Sequence, residues 1–220
     1  MRFEALRLLG ISGEPDEELE AELEESYEHL LRVSAPRITY KIFDIKPEDG
    51  AIAISPALSL EGAALEELCR GCERAVLLAA TLGAGVDRLI ARRERESISR
   101  AVILDACASA EIERICDEAE PSIIAGKVRN GEDIWLTMRF SPGYGGVSPE
   151  ESVKIIEALG AGKSVGLSLT RSGMLVPTKS VTAVIGIANE PRKRYRTCDM
   201  CAAFQNCPYR EKGDFCGDRS

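Results

Sequence analysis

The sequence predicts an α+β protein: a twisted, mainly antiparallel sheet flanked by helices, with a small cysteine-rich C-terminal tail. Three observations lead there. Apolar residues recur with a period of two in some segments and with helical spacing in others, and the two kinds follow one another irregularly, without a repeating strand–helix–strand unit. A composition of 45% hydrophobic and 29% charged residues over 220 positions is that of a globular chain able to bury a sizeable core. Four of the eight cysteines, Cys198, Cys201, Cys207 and Cys216, crowd the end of the chain behind a polar stretch.

The elements follow in order. Phe3 to Leu9 reads as a short helix stopped by Gly10. A second helix opens near Pro15, with Asp16, Glu17 and Glu18 at the positive end of its dipole and a stripe of Leu19, Leu23, Tyr27, Leu30 and Leu31. Ile38, Tyr40 and Ile42 alternate with Thr39 and Lys41 as in a half-buried strand, and Ala51 to Ser55 forms another. Leu65 to Cys72 is helical, and Arg74 to Thr81 is an apolar run of strand length. Two helices are expected next, Val86 to Arg93 and Ile98 to Asp117, the second rich in small residues suited to close packing. Ile134, Leu136, Met138 and Phe140 mark a strand with Arg139 on its opposite face. Ser148, Pro149 and Glu151 supply a cap, a first-turn proline and a capping-box glutamate for a helix ending near Gly160. Val165, Leu167 and Leu169 alternate as a strand, and Val181 to Ile187 as the last one. Residues 1–188 are therefore read as the main domain, and residues 189–220 as a linker and tail.

Several function classes are disfavoured. A formal net charge of −8 counts against nucleic acid, because counterion release needs clustered Lys and Arg. No apolar run reaches bilayer length and the opening Met1-Arg2-Phe3-Glu4 has no signal-peptide character, so no membrane partner and a cytoplasmic location are expected. Gly83-Ala84-Gly85 after a strand lacks the third glycine of a dinucleotide turn, since Arg88 stands there. His29, the one histidine, reads as a helix-surface side chain.

The most informative stretch is Arg139-Phe140-Ser141-Pro142-Gly143-Tyr144. It is a strand end that delivers a guanidinium, followed by a glycine-bearing turn. A planar guanidinium takes a carboxylate bidentately. Neighbouring backbone groups can hold an amino group or an adenine edge, and a tyrosine can pack on a base. Such a set suits an amino-acid-bearing nucleoside, and an ordinary loop with a surface arginine has the same composition.

This stretch resembles the Arg-x-x-Pro-Gly-Tyr signature of the activation domain of cobalamin-dependent methionine synthase, in a free-standing form. Leu167-Ser168-Leu169-Thr170, Met174-Leu175-Val176-Pro177 and Ser180-Val181 resemble that family downstream, and Ala80-Thr81-Leu82-Gly83 with Ala101 to Ala106 upstream. The resemblance implies a reactivation subunit. It would bind S-adenosylmethionine as methyl donor through Arg139, Ser141, Pro142, Gly143 and Tyr144, with no catalytic residue of its own. It would act on cobalamin carried by a partner, a corrinoid-binding methionine synthase or a related corrinoid protein, with electrons from a donor such as flavodoxin or ferredoxin. Arg171 and Gly173 depart from the family's glutamate and aromatic. Activation of another corrinoid methyltransferase, or a non-catalytic metal-binding docking module, are the other readings.

Cys198-x2-Cys201-x5-Cys207-Pro208, with Cys216 beyond, has the spacing of a four-thiolate site that suits an iron–sulfur cluster or zinc. Cys69, Cys72, Cys107 and Cys116 fall in helical segments and are expected to be buried packing residues.

Overall fold

The computed structural model describes residues 2–11, 13–128, 133–192 and 205. In chain order the helices are α1 (Arg2–Leu8), α2 (Glu17–Val33), α3 (Ala63–Leu68), α4 (Ala84–Glu96), α5 (Ile98–Val128), α6 (Glu151–Leu159) and α7 (Ala161–Ser164). The strands are β1 (Arg37–Asp44), β2 (Lys46–Glu48), β3 (Ala51–Ser55), β4 (Leu58–Glu61), β5 (Arg74–Thr81), β6 (Trp135–Leu136), β7 (Ser168–Leu169), β8 (Leu175–Val176) and β9 (Ser180–Ala188). The chain divides into two compact units. One contains Met1–Val33 and Arg88–Glu111; the other contains Ser34–Asp87 and Ile112–Arg194.

The larger unit is built on a four-stranded antiparallel sheet in the order β1-β5-β9-β6. The two central strands are the most apolar in the sequence: all but the first residue of each is buried, because both faces are covered. β1 lies at an edge, which is why Ile38 and Tyr40 of its apolar stripe stay exposed. One face of the sheet carries Ala75, Leu77, Ala79, Val184 and Phe140, packed with Leu65, Ile155, Leu159, Val165 and Leu167 in one core cluster. Gly186 allows a close approach on this face, since a Cβ there would stand 2.9 Å from the Cys72 sulfur and 3.0 Å from Thr137 Cγ2. A small sheet, β2-β3-β4, and the β7-β8 hairpin complete the unit.

The smaller unit is helical. Leu23 and Leu30 of α2 are buried, as are Ala101, Leu104, Cys107 and Ala108 of α5. Asp16 caps α2 by accepting from the Leu19 N–H at 2.9 Å. Arg93 is buried and bonds Glu25 and His29. Its Nη2 lies 2.9 Å from His29 Nδ1. Leu31, placed in the buried stripe from sequence, is 55% exposed.

The α+β class, the antiparallel sheet and its flanking helices agree with the sequence reading. Several boundaries do not. The helix expected over Leu65 to Cys72 spans Ala63–Leu68, so Cys69 and Cys72 stand beyond its last residue. The helix expected to stop at Asp117 continues to Val128 through Pro121; proline costs one backbone bond there without forcing an end. The strand expected over Val165 to Leu169 shrinks to Ser168–Leu169, because Gly166 adopts a left-handed φ of 75° that no strand allows. The strand expected over Ile134 to Phe140 is paired regularly only at Trp135–Leu136. No helix among the described residues is long and apolar enough to cross a membrane.

Cys69, Cys72, Cys107 and Cys116 are buried, free thiols. Burial pushes Cys69, Cys107 and Cys116 from the ordinary 9.0 up to about 12. The folded state thus retains protons that the unfolded chain gives up. Stability from these groups is complete below about pH 9 and is lost as pH rises toward 12. Urea midpoints measured across this range are expected to hold to about pH 9 and then fall. Gly186→Ala is expected to destabilise the protein by about 1–3 kcal/mol, read from the same unfolding curves at neutral pH.

Candidate functional site

The site is shaped by one extra residue beside β9. Leu136 pairs with Ile187, and Phe140 forms a bridge with Val184, so four steps on one chain meet three on the other. The mismatch is a β-bulge, sealed by Thr137, whose N–H donates to the Gly186 carbonyl at 2.9 Å and whose Oγ1 accepts from the Gly186 N–H at 2.8 Å. A bulge inverts the alternation that follows it. Phe140 is turned onto the face of the core cluster, and its neighbour Arg139 onto the face it would otherwise have left, that of Leu136 and Ile187.

Arg139 is consequently not a surface fork. Its side chain is 8% exposed and its guanidinium meets three carboxylates of α5. Nη2 contacts Glu113 and lies 2.9 Å from Asp117, and Nη1 lies 2.7 Å from Glu120. Residues 113, 117 and 120 follow the 3.6-residue repeat and so share one helix face. Burial opposes the guanidinium's charge, but Cys116, Glu113 and Asp117 around it outweigh burial and hold its pKa above the ordinary value. The carboxylates differ in access: the side chain of Glu120 is 6% exposed, that of Glu113 36% and that of Asp117 70%.

The turn after Phe140 presents its backbone to solvent. Gly143 donates to the Val147 carbonyl and Val147 to the Tyr144 carbonyl, both at 2.9 Å. Among the described residues, the N–H groups of Tyr144, Gly145 and Gly146 bond no backbone carbonyl. Gly143, Gly145 and Gly146 all have positive φ. At Gly145 a Cβ would also come within 3.2 Å of Ala64 and of the Phe140 ring, so only glycine keeps this bend tight. Pro142 and Val147 are buried anchors, whereas the Tyr144 ring is 72% exposed. Ser141 is half-buried.

Pro149 links this turn to the hairpin of β7 and β8. The hairpin tip, Thr170 to Met174, is closed by the Thr170 N–H on the Met174 carbonyl at 2.8 Å, and Gly173 comes so close to Pro149 that an added Cβ would stand 3.1 Å from it. Between α6 and the hairpin lies a groove of about 490 Å³, lined by Glu150, Glu151, Val153, Lys154, Leu169, Thr170 and Arg171. Met174 and Val176 are exposed on the hairpin.

The capping box expected at Ser148 takes a different form. Ser148 Oγ accepts from the Glu150 N–H at 3.2 Å. The buried Glu151 carboxylate does not reach back; it accepts from the Glu61 N–H at 3.0 Å and pairs with Lys154 at 2.9 Å, tying α6 to β4.

Arg139 and Ser141 to Tyr144 thus occupy consecutive positions at one strand end, with the guanidinium engaged by α5 and the tyrosine open. Glu113, Asp117 and Glu120 were missed from sequence. Their helical spacing was visible, but nothing in a one-dimensional pattern said which cation they face. Cys198, Cys201, Cys207 and Cys216 lie outside the described residues, and the described residues contain no cluster of metal-ligating side chains.

Replacing Arg139 takes away the guanidinium that pairs with the buried Glu120 carboxylate. Arg139→Met is expected to cost about 3–5 kcal/mol, and adding Glu120→Met to recover much of that loss, as measured by urea unfolding.

No family model matches the chain, and no curated protein matches its sequence. Among solved structures it is similar to the crystal structure of the MetH reactivation domain bound to AdoHcy, with a TM-score of 0.61 and 16% sequence identity over 96% of this chain and 80% of that one. The chain shares that domain's fold.

Proposed function

We propose that the chain binds S-adenosylmethionine and serves as a reactivation component for a cobalamin-dependent methyltransferase. A corrinoid-binding methionine synthase or related corrinoid protein would be its partner, and a carrier such as flavodoxin or ferredoxin the source of electrons. One coincidence carries the reading. The fold is shared with a reactivation domain seen with AdoHcy, the demethylated form of S-adenosylmethionine, and this chain places an Arg-x-x-Pro-Gly-Tyr turn at residues 139–144.

The chain's own part is to bind and orient. Tyr144 offers an exposed ring on which an adenine can stack, and the N–H groups of Tyr144, Gly145 and Gly146 offer donors for its edges or for the ribose. Pro142 and Val147, both buried, hold the bend rigid between them. Arg139, at the strand end, is assigned to the donor's carboxylate. S-adenosylmethionine supplies an already activated methyl group, so alignment with the partner's corrinoid and exclusion of competing acceptors suffice, and no acid–base pair is required of this chain.

The tail thiolates Cys198, Cys201, Cys207 and Cys216 are proposed to hold an iron–sulfur cluster, as an electron relay, or zinc, as a docking element.

Calorimetric titration with S-adenosylmethionine tests the reading. Saturable heat is expected for the natural protein. Tyr144→Ala should fold normally, its ring being mostly in solvent, and lose roughly 1–3 kcal/mol of binding. Absence of heat with the natural protein would remove the proposal.

A further inference from the structure

We infer that Asp117 is a displaceable internal competitor at Arg139, and that an incoming ligand carboxylate takes its place while Glu120 keeps the guanidinium in position. The inference rests on the proposed binding of S-adenosylmethionine through Arg139 and adds to it the carboxylates that control access.

The occupancy of Nη2 sets the problem. The Arg139 guanidinium faces Glu113, Asp117 and Glu120, and two of them, Glu113 and Asp117, meet the same nitrogen. A ligand carboxylate that pairs with Nη2 meets both of them already there. Entry of a ligand carboxylate therefore requires one internal carboxylate to leave.

Geometry selects which one. Glu120 is almost wholly buried, and breaking a buried ion pair is strongly unfavourable. Asp117 is 70% exposed, so its carboxylate can return to water by a side-chain rotation alone. Both Asp117 and Glu113 use Nη2, and Glu113 is the less exposed of the two. The exposed partner on the shared nitrogen is the one that yields. Glu120, on Nη1, acts as a positioning residue that fixes the guanidinium plane throughout. The exchange involves no covalent step.

The test compares two nucleosides on the full chain by calorimetry: S-adenosylmethionine and its decarboxylated form, S-adenosyl-3-methylthiopropylamine. Asp117→Asn removes the competing charge at an exposed position. It is expected to tighten S-adenosylmethionine about two- to fivefold, the size of an exposed ion pair, and to leave the decarboxylated nucleoside unchanged. Asp117→Glu should retain the natural affinity. An unchanged or weakened affinity of Asp117→Asn for S-adenosylmethionine overturns the inference while leaving the binding proposal intact. Equal tightening of both nucleosides also overturns it, since the effect would not depend on the carboxylate. Failure of the natural protein to bind either nucleoside removes the binding proposal and this inference with it.

Discussion

A single extra residue between Leu136 and Phe140 decides the character of the site. β5 and β9 form a buried, continuous antiparallel ladder, and β6 is a short strand laid along its far edge. Were β6 to continue in regular register, Phe140 would share a face with Leu136, and Arg139 would point into the apolar cluster around Leu77 and Ile155. The bulge sealed by Thr137 reverses both. It supplies a ring to the core cluster and sends a guanidinium to α5, and it ends the pairing so that the chain can turn away at Ser141.

The placement of Arg139 carries an energetic consequence. A buried cation is tolerated only where it is paired, and pairing with Glu120 alone would satisfy the charge. Glu113 and Asp117 share Nη2, and Asp117 reaches it from a mostly exposed position. An exposed ion pair adds little stability. It leaves part of the guanidinium's coordination open to exchange with solvent. The glycine bend next to it presents backbone donors without a side chain to cover them, and Tyr144 stands beside them in water.

Much of this was legible in the sequence. The apolar runs at Arg74 to Thr81 and Val181 to Ile187 became the two central strands, and the helix opening near Pro15 begins with its cap at Asp16. The turn at Pro142 to Tyr144 was found because glycine and proline punctuate a chain whatever its tertiary setting. What escaped was set by contacts distant in sequence. The bulge depends on Thr137 finding the Gly186 N–H on another strand, the occupation of Arg139 on a helix about 20 residues earlier, and the redirection of Glu151 on Glu61. A period-two pattern over Ile134 to Phe140 is the same with or without an inserted residue in the pairing. The strand expected at Val165 to Leu169 is shortened for a local reason, because Gly166 takes a left-handed φ inside an otherwise alternating apolar run.

The proposed binding requires a nucleoside-bearing amino acid to seat itself at this bend and open the charge cluster behind it. A crystal structure of the chain grown with S-adenosylmethionine tests this directly. The nucleoside is expected against the Tyr144 ring, its carboxylate on Arg139, and the Asp117 side chain swung into solvent with Glu120 unmoved. A bare Tyr144 turn at saturating ligand, with Arg139 still held by all three carboxylates, would contradict the proposed binding.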